Sequence, residues 1–332
     1  MSEEVAKILM ELLAIKSPSG CESEILTYLE NFLEELGYGV IRQPIGNIII
    51  NPKAKFWIVT HVDTIEPIAK IRREDTLIFG TGACDAKGSI ASLLYFLKKV
   101  EDLGLAIAFV VDEEREGKGA KILAKKYKER MGIIMEPTML RIADKHSGTL
   151  ELEIEVRGKA SHASLPSYGI NAIEKAIEML TQLKSLDLDA EISVYKIRGG
   201  SDTYAIPENC KVNLDLIIPP KLEVKVIEKN VFQVLRNYGN YKVVDKDEPF
   251  FCDKEVCELI EKAMRQLNLE VKYCTMPSWT DAATLHKANW KVAVWGPGDL
   301  KVAHTKNENI SIDEIVKASK VLLKVNDLIK NR

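Results

Sequence analysis

The chain has 332 residues, 46 basic and 49 acidic, for a net charge of −3, and it carries no basic tract of the kind that tracks a phosphate backbone, which argues against nucleic acid as a partner. Its longest apolar runs, residues 56–59 and 106–111, are far shorter than the ~20 residues of a membrane span, and its acidic, amphipathic start has neither a basic leader nor a small-residue cleavage site. A cytoplasmic protein of two domains is expected, because single cores stop growing near ~250–300 residues.

In chain order, MSEEVAKILMELLAI reads as a first helix, followed by a helix over 22–36 and a strand FWIVTH over 56–61. A helix over 88–101, a strand AIAFVV over 106–111, a helix over 119–128 and a strand GIIM over 132–135 continue an alternation typical of sheets covered on both faces. At Thr149 the rhythm changes: LELEIEV, 150–156, alternates apolar and charged residues, the mark of a strand with one wet face. A helix at 170–184, strands near 191–197 and 210–218, a helix at 222–238 and a strand near 241–244 complete a β-α-β-β-α-β unit. Helix 253–267, strand VKYC, helix 280–288, strand KVAVW and a final helix from Ser311 return to the first pattern, with Ser311 and Glu314 spaced as a capping box. The expected fold class is therefore α/β. A catalytic domain with a mixed sheet covered by helices, 1–147 and 249–332, is interrupted by an α+β, ferredoxin-like domain at 148–248.

Five stretches carry chemistry. His61 ends a strand two residues before Asp63, and a metal-binding imidazole usually donates its other N–H to such a carboxylate; the plain alternative is a strand-end turn. Asp85 lies in TGACDAKG where a loop enters a helix, placed either as an N-cap or as a carboxylate bridging two cations. Glu113 and Glu114 leave a strand together, either as a solvated helix start or as neighbours pointing to different sides, one toward metal and one toward water. Glu136 ends GIIM in the same position, with Pro137 stiffening the exit. His304 sits in a Gly/Pro-rich loop. Three converging carboxylates need counter-charge, and two divalent ions supply it; histidine and carboxylate donors without thiolate suit zinc, with cobalt or manganese as alternatives. The six cysteines lack CxxC spacing and are expected to be free, mostly packed thiols rather than a disulfide frame or a thiolate zinc site.

The ordered motifs HVD, GACDAKG, DEE, MEP and GPGDLKVAHT resemble the co-catalytic zinc hydrolase family of acetylornithine deacetylase, succinyl-diaminopimelate desuccinylase, aminoacylase and related carboxypeptidases. The resemblance spans the whole chain. It implies His61, Asp85, Glu114, Glu136 and His304 as ligands, with Asp85 bridging, Glu113 as general base and Asp63 orienting His61. It makes the inserted domain a lid and dimerisation domain and His162, in RGKASHASLP, the residue that reaches across a homodimer to the tetrahedral intermediate. Asp281 matches a pocket aspartate, and Gly296, Pro297 and Gly298 match a turn that contacts substrate. Two positions depart from the family pattern: Tyr204 stands where relatives often have asparagine, and Ile217 where an arginine often grips the substrate carboxylate. The short length, the GACDAKG form and the GPG-to-HT spacing are most similar to enzymes that release lysine or ornithine from an acidic amino-group carrier protein or deacetylate their N-acetyl forms. That implies a small amino-acid-derived substrate in lysine or arginine biosynthesis; the alternative is a metal-dependent dipeptidase, carboxypeptidase or aminopeptidase.

Overall fold

The computed structural model describes residues 2–331; the expected outer bounds at Met1 and Arg332 lie outside them. The chain forms two compact units. The first comprises the chain up to Asp144, Cys252–Met276 and the chain from Thr280 onward. Its sheet runs in the order Val40–Arg42, Ile48–Ile50, Ala106–Val110, Phe56–His61, Met131–Ile134, Lys291–Val294, Ile142–His146, with Tyr273–Met276 also pairing with Ile142–His146. The four middle strands are parallel, and the pairs on either side of them are antiparallel. Every residue of Phe56–His61 and Ala106–Val110 is buried, which is why these strands read as continuous apolar runs rather than as alternations.

Helices Ser2–Ala14, Gly88–Lys99, Lys254–Gln266 and Ile312–Lys330 pack against one another, while Lys118–Lys126 packs on Asp281–Lys287. Ser2–Ala14 is held by Val5, Ile8, Leu9, Leu12 and Leu13, buried at helical spacing; each such side chain contributes roughly 1.5–3 kcal/mol. At the start of the last helix Ser311 Oγ accepts the Asp313 N–H, but the expected reciprocal contact is missing. The Glu314 carboxylate accepts the Gly298 N–H at 2.7 Å instead, because the Gly296–Gly298 turn brings a better donor within reach. Among the described residues no helix is long and apolar enough to cross a membrane.

The second unit is Lys145–Phe251 with Pro277–Trp279. The sequence expectation of 148–248 does not contain the 277–279 segment, whose Trp279 indole donates to Asp247 Oδ2 at 2.6 Å. Its antiparallel sheet has the order Glu191–Gly199, Asn209–Ile218, Gly148–Arg157, Gly239–Asp247. The alternation in LELEIEV turns Leu150, Leu152, Ile154 and Val156 into a core shared with helices Ala172–Ser185 and Val224–Leu235, leaving Glu151, Glu153 and Glu155 on the other face. Asn171 caps the first of those helices through the Ile173 and Glu174 N–H groups.

Candidate metal centre

The register of the parallel strands sets the site. His61 is level with Val110, and Val59 is level with Ile134, so three neighbouring strands release their chains at one height and in one direction. Side chains just past those ends converge, as ligand groups do at the carboxyl edge of parallel sheets. His61 comes from one exit, Glu113 and Glu114 from the next and Glu136 from the third, while the turn Ala83–Lys87 before helix Gly88–Lys99 brings in Asp85. Asp85 does not cap that helix, which has no side-chain cap; its carboxylate faces the cluster.

The two oxygens of Asp85 face different histidines. Oδ1 lies 3.1 Å from His61 Nε2, and Oδ2 lies 3.6 Å from His304 Nε2. His61 Nε2 is also 3.9 Å from Glu136 Oε2, and His304 Nε2 is 3.0 Å from Glu114 Oε1. In each of the trios His61, Asp85, Glu136 and Asp85, Glu114, His304, the donor atoms lie within 4.8 Å of one another. A third trio, His61, Glu113, Glu114, meets the same test. Imidazole and carboxylate donors at this spacing, sharing one carboxylate, fit a pair of divalent cations. His304 is half exposed and held at φ 58, a left-handed conformation that costs about 1–3 kcal/mol in a non-glycine residue.

The surroundings of Asp63 differ from the expectation. His61 Nδ1 is 3.0 Å from the main-chain oxygen of Asp63 and 3.6 Å from its carboxylate. That carboxylate is taken up by the N–H groups of Glu113 and Glu114 at 3.1 and 3.0 Å and by the Ser19 hydroxyl at 2.7 Å. Asp63 thus holds the turn that presents Glu113 and Glu114 as well as the imidazole beside it, and although burial opposes its charge, His61 and these donors hold its carboxyl below the usual range.

Without cations the cluster is electrostatically frustrated. Burial first, then repulsion from neighbouring carboxylates, pushes Glu113, Glu114 and Glu136 up. Burial alone would lower His61, but Glu113, Asp63, Asp85 and Glu136 raise it well above 6.5. Burial lifts Asp281 from 3.8 to about 7 and Glu308 from 4.5 to about 7, and the Glu114 hydrogen bond lifts His304 from 6.5 to about 9. These groups bind protons more tightly in the folded, metal-free chain than in the unfolded one. The stability they give is complete below the unfolded values and is lost as pH rises through about 7 for the two carboxyls and about 9 for His304. Asp63 and Lys87, whose amine burial lowers to about 8, have the opposite sign, but they are outnumbered. Thermal unfolding in a chelator is therefore expected to show a melting temperature that falls between about pH 5 and pH 9; a rise over that range contradicts this electrostatic picture.

The other sequence candidates fall in several places. Asp281, 1% exposed, opens helix Asp281–Lys287 behind a Thr280 cap, with Oδ1 unpartnered, and its charge acts on Glu113 and Glu136. A Cβ on Gly296 would stand 2.6 Å from the Glu136 carbonyl oxygen, and one on Gly298, at φ 97, 2.7 Å from Cys84 Cβ. Only glycines let the turn through Pro297 press against the main chain that carries Glu136 and Asp85. In the second unit His162 pairs with Ala205 across a short ladder, and its ring stands 5.5 Å from that of Tyr204, which is 74% exposed. Ile217 is half-buried opposite Thr149.

Sequence reading did not single out Ser19, Glu308 or the Glu314–Gly298 contact. Glu308 Oε1 accepts the N–H groups of Cys84 and Asp85 at 3.1 and 3.2 Å.

Comparison with known proteins adds to this geometry. A family model described as Peptidase family M20/M25/M40 matches residues 57–327. A LysW-lysine/LysW-ornithine hydrolase of Saccharolobus solfataricus is 25% identical over 323 residues, 95% of this chain and 93% of its own length. A putative hydrolase of the same name from Pyrobaculum aerophilum is 27% identical over 331 residues, 96% of each chain. A solved tripeptidase structure from Staphylococcus aureus matches with a TM-score of 0.83 and 20% identity, covering 100% of this chain and 99% of its own, a likeness of fold.

Proposed function

Because the chain belongs to peptidase family M20/M25/M40 and is a metallohydrolase of amide bonds, we propose that it releases lysine or ornithine from a precursor whose amino group is linked to a carrier protein. The substrate half of this reading is supported by likeness over nearly the whole chain to relatives named for that activity. The catalytic half is carried by one observation, the two oxygens of Asp85 turned toward two histidines. His61, Asp85 and Glu136 would hold one divalent ion and Asp85, Glu114 and His304 the other, with zinc the best match to the donors and cobalt or manganese able to substitute.

When bound, such ions lower the pKa of water toward ~7 and polarise a carbonyl oxygen. The chain's own share is proton handling and orientation. Glu113 takes a proton from the water that attacks the amide carbon and delivers it to the nitrogen as the C–N bond breaks. Asp63 fixes Glu113 for that role through the main-chain N–H at 3.1 Å. His162 is the proposed stabiliser of the tetrahedral intermediate, supplied within a homodimer, and the proposed setting is the cytoplasm.

Assays of zinc- and cobalt-loaded protein against a γ-glutamyl-lysine carrier mimic, N-acetyl-lysine, N-acetylornithine, N-succinyl-diaminopimelate and dipeptides test the substrate. The carrier mimic is expected to give the highest kcat/KM, by ~10-fold or more over dipeptides, a ratio that pocket contacts readily supply. A preference for dipeptides overturns the assignment and makes the chain a peptidase.

A further inference from the structure

The loop that brings His304 to the site ends in a second acid that the mechanism does not use. Glu308 is 1% exposed, and the same oxygen, Oε1, accepts two successive main-chain N–H groups, those of Cys84 at 3.1 Å and Asp85 at 3.2 Å. The Gly82 N–H also favours its charged form, and the Cys84 thiol donates to Oε1 at 3.5 Å. The main chain closes the same contact: the Gly80 N–H donates to the Glu308 carbonyl at 3.1 Å, and Asn309–Ser311 pairs antiparallel with Leu77–Phe79. Segments more than two hundred residues apart in sequence are therefore clamped together along the stretch that leads into Asp85, from Leu77 to Asp85 itself. A buried carboxylate is costly unless its oxygens are satisfied, so a chain that keeps one here has a use for its directionality.

We infer that Glu308 is a positioning residue: by accepting the Cys84 and Asp85 N–H groups, it sets the direction in which Asp85 leaves the main chain and keeps it in register with His304. The inference rests on the reading of Asp85 and His304 as metal-holding residues. It separates geometry from charge, because glutamine keeps an acceptor oxygen at the Oε1 position and alanine does not.

Cobalt titration followed by absorption, together with amide exchange of the metal-free protein, tests it. Wild type and Glu308→Gln are expected to bind two equivalents with the same spectrum. Glu308→Ala is expected to bind cobalt ~10–100-fold more weakly, the usual loss when a ligand's supporting partner is removed. Its Cys84 and Asp85 amides are expected to exchange ~10-fold faster while Ile107, in the central sheet, is unchanged. Wild-type affinity and protection in Glu308→Ala overturn the inference, and so does equal weakening in Glu308→Gln, which would make charge rather than direction the cause. If the alanine variant does not fold, Glu308→Gln decides alone: full cobalt affinity supports the inference and weakened affinity overturns it. Fewer than two equivalents in wild type would sink the two-ion reading along with it, whereas two equivalents bound by Glu308→Ala with wild-type affinity would sink only this inference.

Discussion

Glu113→Gln is expected to take up its full complement of metal and to turn over ~10²–10⁴-fold more slowly than wild type, the range lost when a general base is removed. The side chain keeps its length, so the turn that Asp63 holds through the Glu113 and Glu114 N–H groups stays in place. What disappears is the oxygen that accepts the proton from water. The change also removes one member of a crowded set of acids, which relieves repulsion on Glu136 and Glu114 rather than adding to it. Metal content measured by mass spectrometry beside steady-state rates separates the two effects. Turnover within a few-fold of wild type contradicts the assignment of Glu113 as base, and loss of metal would move Glu113 among the holding residues, an outcome that the trio His61, Glu113, Glu114 makes worth checking.

Asp85→Ala is expected to cost both ions at once. Asp85 is the carboxylate common to the two trios that contain Glu136 and His304, so its removal opens both together. Stabilisation of transition-state charge by such ions amounts to several kcal/mol, or at least ~10³-fold in rate. Wild-type protein at a free metal concentration a hundred times Kd gains about 2.7 kcal/mol of stability from binding; the variant is expected to gain almost none. A variant that retains two equivalents shows that the ions do not share this residue.

The strands that end at the site were legible because a fully buried parallel strand reads as an unbroken apolar run, and the residues that follow it stand out by polarity: His61 after FWIVT, Glu113 and Glu114 after AIAFVVD, Glu136 after GIIM. The β-α-β-β-α-β order was legible for the opposite reason, since a half-wet sheet alternates and its helices repeat at 3.6 residues. Ile48–Ile50 and Val40–Arg42 went unread because three-residue strands carry too little periodicity to separate from a loop. Around the metal centre, residue type and order suggested which side chains meet but not what holds them. Glu308 looks like an ordinary loop acid in TKNENI; its partners lie at Cys84 and Asp85, and no local pattern encodes a contact across 224 and 223 positions. The same holds for Asp63, whose carboxylate reaches Ser19 and the Glu113–Glu114 turn, and for Glu314, which is drawn from its own helix cap to Gly298. Local sequence fixes cap preferences, but tertiary approach decides which donor a flexible carboxylate finds.

Crystals grown with zinc and measured on both sides of the zinc absorption edge test the two-ion centre most directly. Two anomalous peaks are expected on either side of Asp85, ~3.5–4 Å apart, one beside His61 and Glu136 and the other beside Glu114 and His304. A single peak, or peaks away from Asp85, would contradict the account.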